Sequence, residues 1–380
     1  MIKAEMKKTF FKDTVLPRIS FPLYWITRII LIPLGVFFFS KVKRETTTGN
    51  SICLEAGAIG WLSIEFKELY TTACEYIGKE RVQKVVIQKD KGYFEQVKEA
   101  VNQHKPNHYF YDPRTGNQNW FKAIVEAFRI VFLFSSRGII PIVLLADYSY
   151  RTWRVQAVIL TALRGVVISF LAPSEGYPLF PHNRIVAPNL MPLSMTTLSM
   201  LDKINDARPK KLEKKALFVG SLYEPRTTFL KSVATILKTK KLTLEIRGRI
   251  PGEHRKSDEE YWKILSHSAV IVTTAEQIDL PINDWKWITQ LTYRYLETLA
   301  AGTLLIAPEV PGIKRYFIPG EHFISYNSIQ DAVEKIQFYL TNKKEREKIA
   351  ACGRERARHL IMSRIYWLSI DTVLGKDSLT

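Results

Sequence analysis

TYRYLETLAAG, residues 292–302, runs directly into TLLIAP, residues 303–308. The first stretch has helical spacing. Leu296, Leu299 and Ala300 fall on one face, and Gly302 stands just past the last turn, where a left-handed residue ends a helix. The second stretch is apolar throughout, as expected of a strand covered on both faces. A helix followed by a fully buried strand is one unit of a doubly wound parallel sheet. Arg294 and Glu297 lie three residues apart, so they share a helix face. On an open surface such a pair contributes little. Beside a ligand, the carboxylate suits ribose hydroxyls and the guanidinium suits phosphate.

The same alternation extends outward. ALFVG (216–220), TLEIRG (243–248), AVIVTT (269–274) and HFISYN (322–327) read as further strands, with helical stretches between them. GSLYEPRTTFLK, residues 220–231, places a glycine at a strand end, then a short loop and a helix starting near Arg226. Gly220 lets backbone approach a phosphate, and a helix N-terminus offers N–H groups to an anion. Arg226 can bind a diphosphate bidentately, and Lys231 adds a point charge. Arg247, after the next strand, is a further candidate for the phosphate site.

Upstream, residues 51–57, 82–88, 108–112, 141–147, 166–170 and 184–190 read as the strands of another sheet. Five segments are therefore expected: 1–45, an N-terminal segment; 46–200, a Rossmann-like domain for the acceptor; 201–214, a linker, polar and carrying Pro209; 215–360, a Rossmann-like domain for the nucleotide; and 361–380, a tail packing back on the first domain. EAGAIGW (55–61) follows the first strand, and Gly57 and Gly60 there suit either a phosphate or acceptor loop or a plain tight turn. Asp147 ends a buried strand; it is a candidate general base toward an acceptor hydroxyl and equally a helix N-cap.

These stretches resemble the C-terminal domain of GT-B glycosyltransferases, and within them the spore-maturation-protein-like branch. The resemblance covers about residues 216–364 and rests on Arg294, Glu297, Leu299, Ala300 and Gly302, on Pro311–Gly312–Ile313, and on PGEHF at 319–323. It implies two Rossmann-like domains facing a cleft and transfer of a sugar from a nucleotide-diphosphate sugar. It also implies that Arg226 and Lys231 hold the diphosphate and Glu297 the ribose. The pattern departs at Thr289, where many retaining enzymes of this fold carry a second glutamate eight positions before the ribose-binding one. A non-catalytic nucleotide-sugar-binding or scaffold protein is the alternative.

The chain of 380 residues carries 55 Lys and Arg against 37 Asp and Glu, a formal charge of +18. Such a surface suits anionic partners. No basic helix with base-reading spacing and no aromatic nucleic-acid motif is present, so nucleic acid is not expected as a partner. Three scattered cysteines give neither a disulfide framework nor metal spacing, and fit a reducing compartment. No Asp-x-Asp motif occurs, and no metal or cofactor is expected. Residues 19–39 are apolar and bracketed by lysines and arginines. An interfacial or re-entrant anchor, a single transmembrane helix and a helix buried on the globular body all accommodate them. The first two place the protein at an anionic membrane, on its cytoplasmic face, acting on a saccharide or lipid-linked acceptor.

Overall fold

The computed structural model describes residues 22, 25–34, 50–58, 60–116, 119–145, 151–162, 165–169, 184–209, 212, 214–248, 257–275 and 290–380. The chain divides into two compact units, residues 1–189 with 366–380, and residues 190–365.

The first unit holds six parallel strands: β1 (Ile52–Gly57), β2 (Val82–Ile87), β3 (His108–Tyr111), β4 (Ile140–Leu145), β5 (Val166–Ser169) and β6 (Ile185–Val186), in the order β2-β1-β3-β4-β5-β6. The inner strands β1, β3 and β4 are buried over nearly all of their length, and β4 reads as a continuous apolar run for that reason. Between them lie α1 (Ile64–Ile77), α2 (Tyr93–His104), α3 (Trp120–Arg137) and α4 (Arg151–Thr161). Ser63 caps α1 by accepting from the Phe66 amide, and Asn119 caps α3 by accepting from the Phe121 and Lys122 amides. The C-terminal helix α11 (Ile365–Leu374) docks here: Trp367 Nε1 donates to Thr72 Oγ1, and Tyr76 donates to Asp371.

The second unit holds β7 (Lys215–Gly220), β8 (Thr243–Gly248), β9 (Val270–Val272), β10 (Leu304–Pro308) and β11 (Ile324–Tyr326), all parallel, in the order β11-β10-β9-β7-β8. Its helices are α5 (Met195–Asp206), α6 (Arg226–Thr239), α7 (Asp258–Ser266), α8 (Arg294–Ala300), α9 (Ile329–Thr341) and α10 (Lys343–Met362). One expectation is corrected. Part of the stretch taken as linker, residues 201–214, is helical and belongs to the second unit. Ser194 caps α5, Leu198, Leu201 and Ile204 bury one stripe, and Asp202 pairs with Arg354 and Arg358 of α10. A polar outer face had masked an amphipathic helix.

In both sheets the strand order reverses beside the first strand. The reversal lies between β1 and β3 in the first unit and between β7 and β9 in the second. Ligands of such sheets bind beyond the carboxyl ends of the strands at that point.

In the N-terminal segment only residues 22 and 25–34 are described. Thr27–Leu31 form a π-helical turn against α3, with Thr27 buried and Trp25, Ile26, Ile29 and Ile30 exposed. Among the described residues, no helix is long and apolar enough to cross a membrane.

Candidate functional site

At the switch point of the second sheet, β7 ends at Gly220 and β9 is followed by Thr273 and Thr274. Gly220 has φ 151°, and a Cβ there would meet the Phe218 ring at 3.3 Å. The loop 221–225 then turns into α6. Arg226, at the first helical position, is 8 % exposed and folds back over this edge. Its Nε donates to Thr274 Oγ1 at 2.8 Å and its Nη1 to the Ser221 carbonyl at 2.9 Å. The guanidinium lies over the Tyr223 ring, 4.1 Å from its centroid.

Arg294 reaches the same edge from α8. Its Nη2 donates to the Val219 carbonyl at 2.9 Å, one residue before Gly220. Its Nη1 contacts Glu297 Oε2 at 3.2 Å and donates to the Tyr261 hydroxyl at 2.5 Å. That hydroxyl donates to Glu297 Oε1 at 2.8 Å. Arg294, Tyr261 and Glu297 thus form a closed triad, and Glu297 is only 4 % exposed. A buried carboxylate with one oxygen hydrogen-bonded and the other ion-paired is held far more firmly than a surface pair. Burial pushes the Tyr261 phenol well above its ordinary range. Burial, with Arg294 adding to it, holds the Arg226 guanidinium below its usual value. Two cations therefore converge at one strand edge where their mutual repulsion is felt, a setting that favours an anion.

Other expected residues lie elsewhere. Lys231 is exposed on α6, and five helical steps turn it about 140° from Arg226. Arg247 sits on the edge strand β8 and pairs with Glu245, which also takes Lys215. Gly302, with φ 71°, ends α8 at the opposite end from Arg294, and its carbonyl accepts from Arg208 Nη1 at 2.8 Å. The N–H groups expected at the start of α6 are already engaged. Thr227 donates to the Tyr223 carbonyl, Thr228 to Glu224 Oε2 and Phe229 to the Pro225 carbonyl. The Glu224 carboxylate occupies the place an external anion would take, so side chains rather than this helix end offer positive charge. Asp147 and Thr289 lie outside the described residues.

At the switch point of the first sheet stands a group with no signal in the local sequence pattern. Glu55 of β1 is fully buried and accepts from the Tyr93 hydroxyl at 2.8 Å, from the Tyr109 hydroxyl at 2.8 Å, and from Thr115. Burial above all, with Asp112 adding to it, pushes its carboxyl up to about 8 against the lowering effect of the three hydroxyls. Gly57 ends β1 and Gly60 starts the short turn Gly60–Leu62; a Cβ on Gly60 would meet the Ala56 Cβ at 3.3 Å. The Ser63 N–H donates to the Gly60 carbonyl, closing that turn, before the Ser63 side chain caps α1.

A family model described as glycosyl transferase-like matches residues 226–368. No curated protein sequence matches the chain. Among solved structures, sucrose-phosphate synthase from Thermosynechococcus elongatus superposes with TM-score 0.57 at 13% identity, covering 86% of this chain and 98% of the other. The HepE protein of Anabaena, solved with UDP and glucose, gives TM-score 0.53 at 10% identity, covering 83% and 97%. A glycosyltransferase from Rickettsia africae gives 0.50 at 12% identity, covering 87% and 97%. With two parallel doubly wound sheets and this match over its second half, the chain has the α/β fold of GT-B glycosyltransferases, and residues 226–368 are glycosyl transferase-like.

Proposed function

We propose that this protein transfers a sugar from a nucleotide-diphosphate sugar, and that the diphosphate sits at the carboxyl edge of the second sheet between β7 and β9. The observation that carries this reading is the convergence of Arg226 and Arg294 on that edge. Each guanidinium is fixed there by bonds to backbone or hydroxyl oxygens. Gly220 leaves the strand end open to close approach. The Glu297 carboxylate, held by Tyr261 and Arg294, faces the ribose hydroxyls. As the glycosidic bond to the diphosphate breaks, negative charge grows on the leaving oxygen. Donors already oriented toward that position stabilise it without further reorganisation. In this scheme guanidinium groups meet that charge, and no metal is needed. The Anabaena HepE protein was solved with UDP and glucose, which makes UDP-glucose the first donor to test.

The test is release of nucleoside diphosphate from a panel of nucleotide sugars, with cell-envelope saccharides as acceptors and with a chelator present. Turnover that survives the chelator and disappears in Arg294→Ala supports the proposal. Nucleotide binding without turnover against any acceptor leaves a sugar-nucleotide-binding protein instead.

The acceptor in this proposal is a membrane-associated or envelope saccharide, and the protein works at an anionic membrane surface. Trp25, Ile26, Ile29 and Ile30 are exposed apolar side chains on one short turn, in a segment rich in lysine and arginine. Co-sedimentation with vesicles rich in phosphatidylglycerol, weakened by Ile29→Glu, is the expected result. Equal recovery in the supernatant with and without such vesicles would sink it.

A further inference from the structure

The second unit contains a cavity of about 800 Å³ at the edge opposite the proposed diphosphate site. Its walls include Lys214, which precedes β7, Ala269, which precedes β9, and Leu304, the first residue of β10. It therefore opens at the amino ends of the strands, whereas Gly220 and Thr274 lie at their carboxyl ends. The volume is that of a small-molecule site.

The lining is cationic. Arg208, Lys214, Lys343, Arg346, Arg354 and Arg358 face two glutamates. Arg354 and Arg358 share a single carboxylate, Asp202. Among the described residues Arg208 and Arg346 form no ion pair. Arg208 spends two N–H groups on the Gly302 and Ser268 carbonyls, at 2.8 and 2.9 Å, and its buried Nε has no hydrogen-bond partner. Arg346 is 7 % exposed and is tied by one bond, Nη1 to the Tyr339 carbonyl at 2.9 Å. Burial lowers the pKa of both, and Arg346 and Arg354 lower that of Arg208 further, with Glu347 opposing. Concentrating like charges away from water is costly unless something offsets them. Carbonyl bonds orient these guanidiniums but supply no counter-charge. The floor, by contrast, is apolar, with Leu212, Leu304 and Leu340.

We propose that this cavity is a second anion site, built for a phosphate-bearing ligand and separate from the nucleotide-sugar site. Planar guanidinium forks match phosphate oxygens in pairs, and the apolar floor takes the non-polar part of the ligand. A free phosphate ester and a lipid headgroup present the same chemistry.

The experiment titrates inorganic pyrophosphate into the full-length protein at physiological salt, on an Arg226→Ala background that removes a principal cation of the other site. Binding is expected to persist there. It should weaken about tenfold or more with Arg346→Gln, as for loss of a hydrogen bond to a charged group. The Lys214→Gln, Lys343→Gln double variant changes only exposed side chains and keeps the fold; it should weaken binding about two- to fivefold. Vesicles of phosphatidylglycerol then separate the sources. Vesicle binding that pyrophosphate displaces assigns the site to a headgroup. Vesicle binding indifferent to pyrophosphate assigns it to a soluble phosphate ester. No pyrophosphate binding in Arg226→Ala, or binding unchanged in both the Arg346 and the double-lysine variants, overturns the proposal.

Discussion

The two sheets share a strand order around their switch points, yet those points are chemically opposite. In the first unit, Glu55 is sealed among Tyr93, Tyr109 and Thr115, a closed acidic cluster whose bonds are all internal. In the second, Arg226 and Arg294 are gathered at the strand edge with Gly220 beside them. Topology supplies a location, and the side chains decide its use. One switch point is a buried polar cluster, and the other gathers two guanidiniums, as the proposed diphosphate site requires.

The acidic switch point carries the strongest pH dependence. Glu55 has a folded-state pKa of about 8, raised above its unfolded value. Its contribution to stability is fully present below the unfolded pKa and is lost as pH rises through the folded one. The first unit should therefore lose stability between about pH 4.5 and 8, on the order of 4 kcal/mol. Glu55→Gln mimics the neutral carboxyl, so the difference between wild type and variant in pH-dependent unfolding isolates this group. Parallel pH profiles for the two proteins would remove Glu55 from the account.

Next comes the cationic half. Arg226→Ala should weaken nucleoside-diphosphate binding about hundredfold, the scale of losing a charged, partly desolvated contact to phosphate. Glu297→Gln should cost about tenfold for ribonucleotides and less for 2′,3′-dideoxy analogues, because the variant loses the charged acceptor for the ribose hydroxyls. An equal loss for both would assign Glu297 to holding Arg294 and Tyr261 only. The smallest effect belongs to Lys231→Ala. Its place on the far side of α6 predicts affinity within about twofold of wild type.

Much of the fold was legible in the sequence because parallel strands buried on both faces appear as uninterrupted apolar runs; β4, β9 and β10 are of this kind. The pairing of Arg294 with Glu297 was legible too, since three helical residues fix it. What could not be read depends on contacts distant in the chain. Tyr261 meets Glu297 across 36 residues and Thr274 meets Arg226 across 48. The Glu55 cluster likewise joins β1 to residues 38, 54 and 60 positions away. Charge and proximity in sequence point Lys231 and Arg247 to the phosphate site, but helix rotation and Glu245 direct them elsewhere.

In the proposed function, the switch point of the second unit binds the diphosphate of a nucleotide. Calorimetric titration of the full-length protein with UDP and other nucleoside diphosphates, in wild type, Arg226→Ala and Glu55→Gln, tests it most directly. Saturable binding is expected in wild type, retained in Glu55→Gln and largely abolished in Arg226→Ala. Absence of binding by any nucleoside diphosphate to the wild type, or equally tight binding by Arg226→Ala, rules out a diphosphate site there.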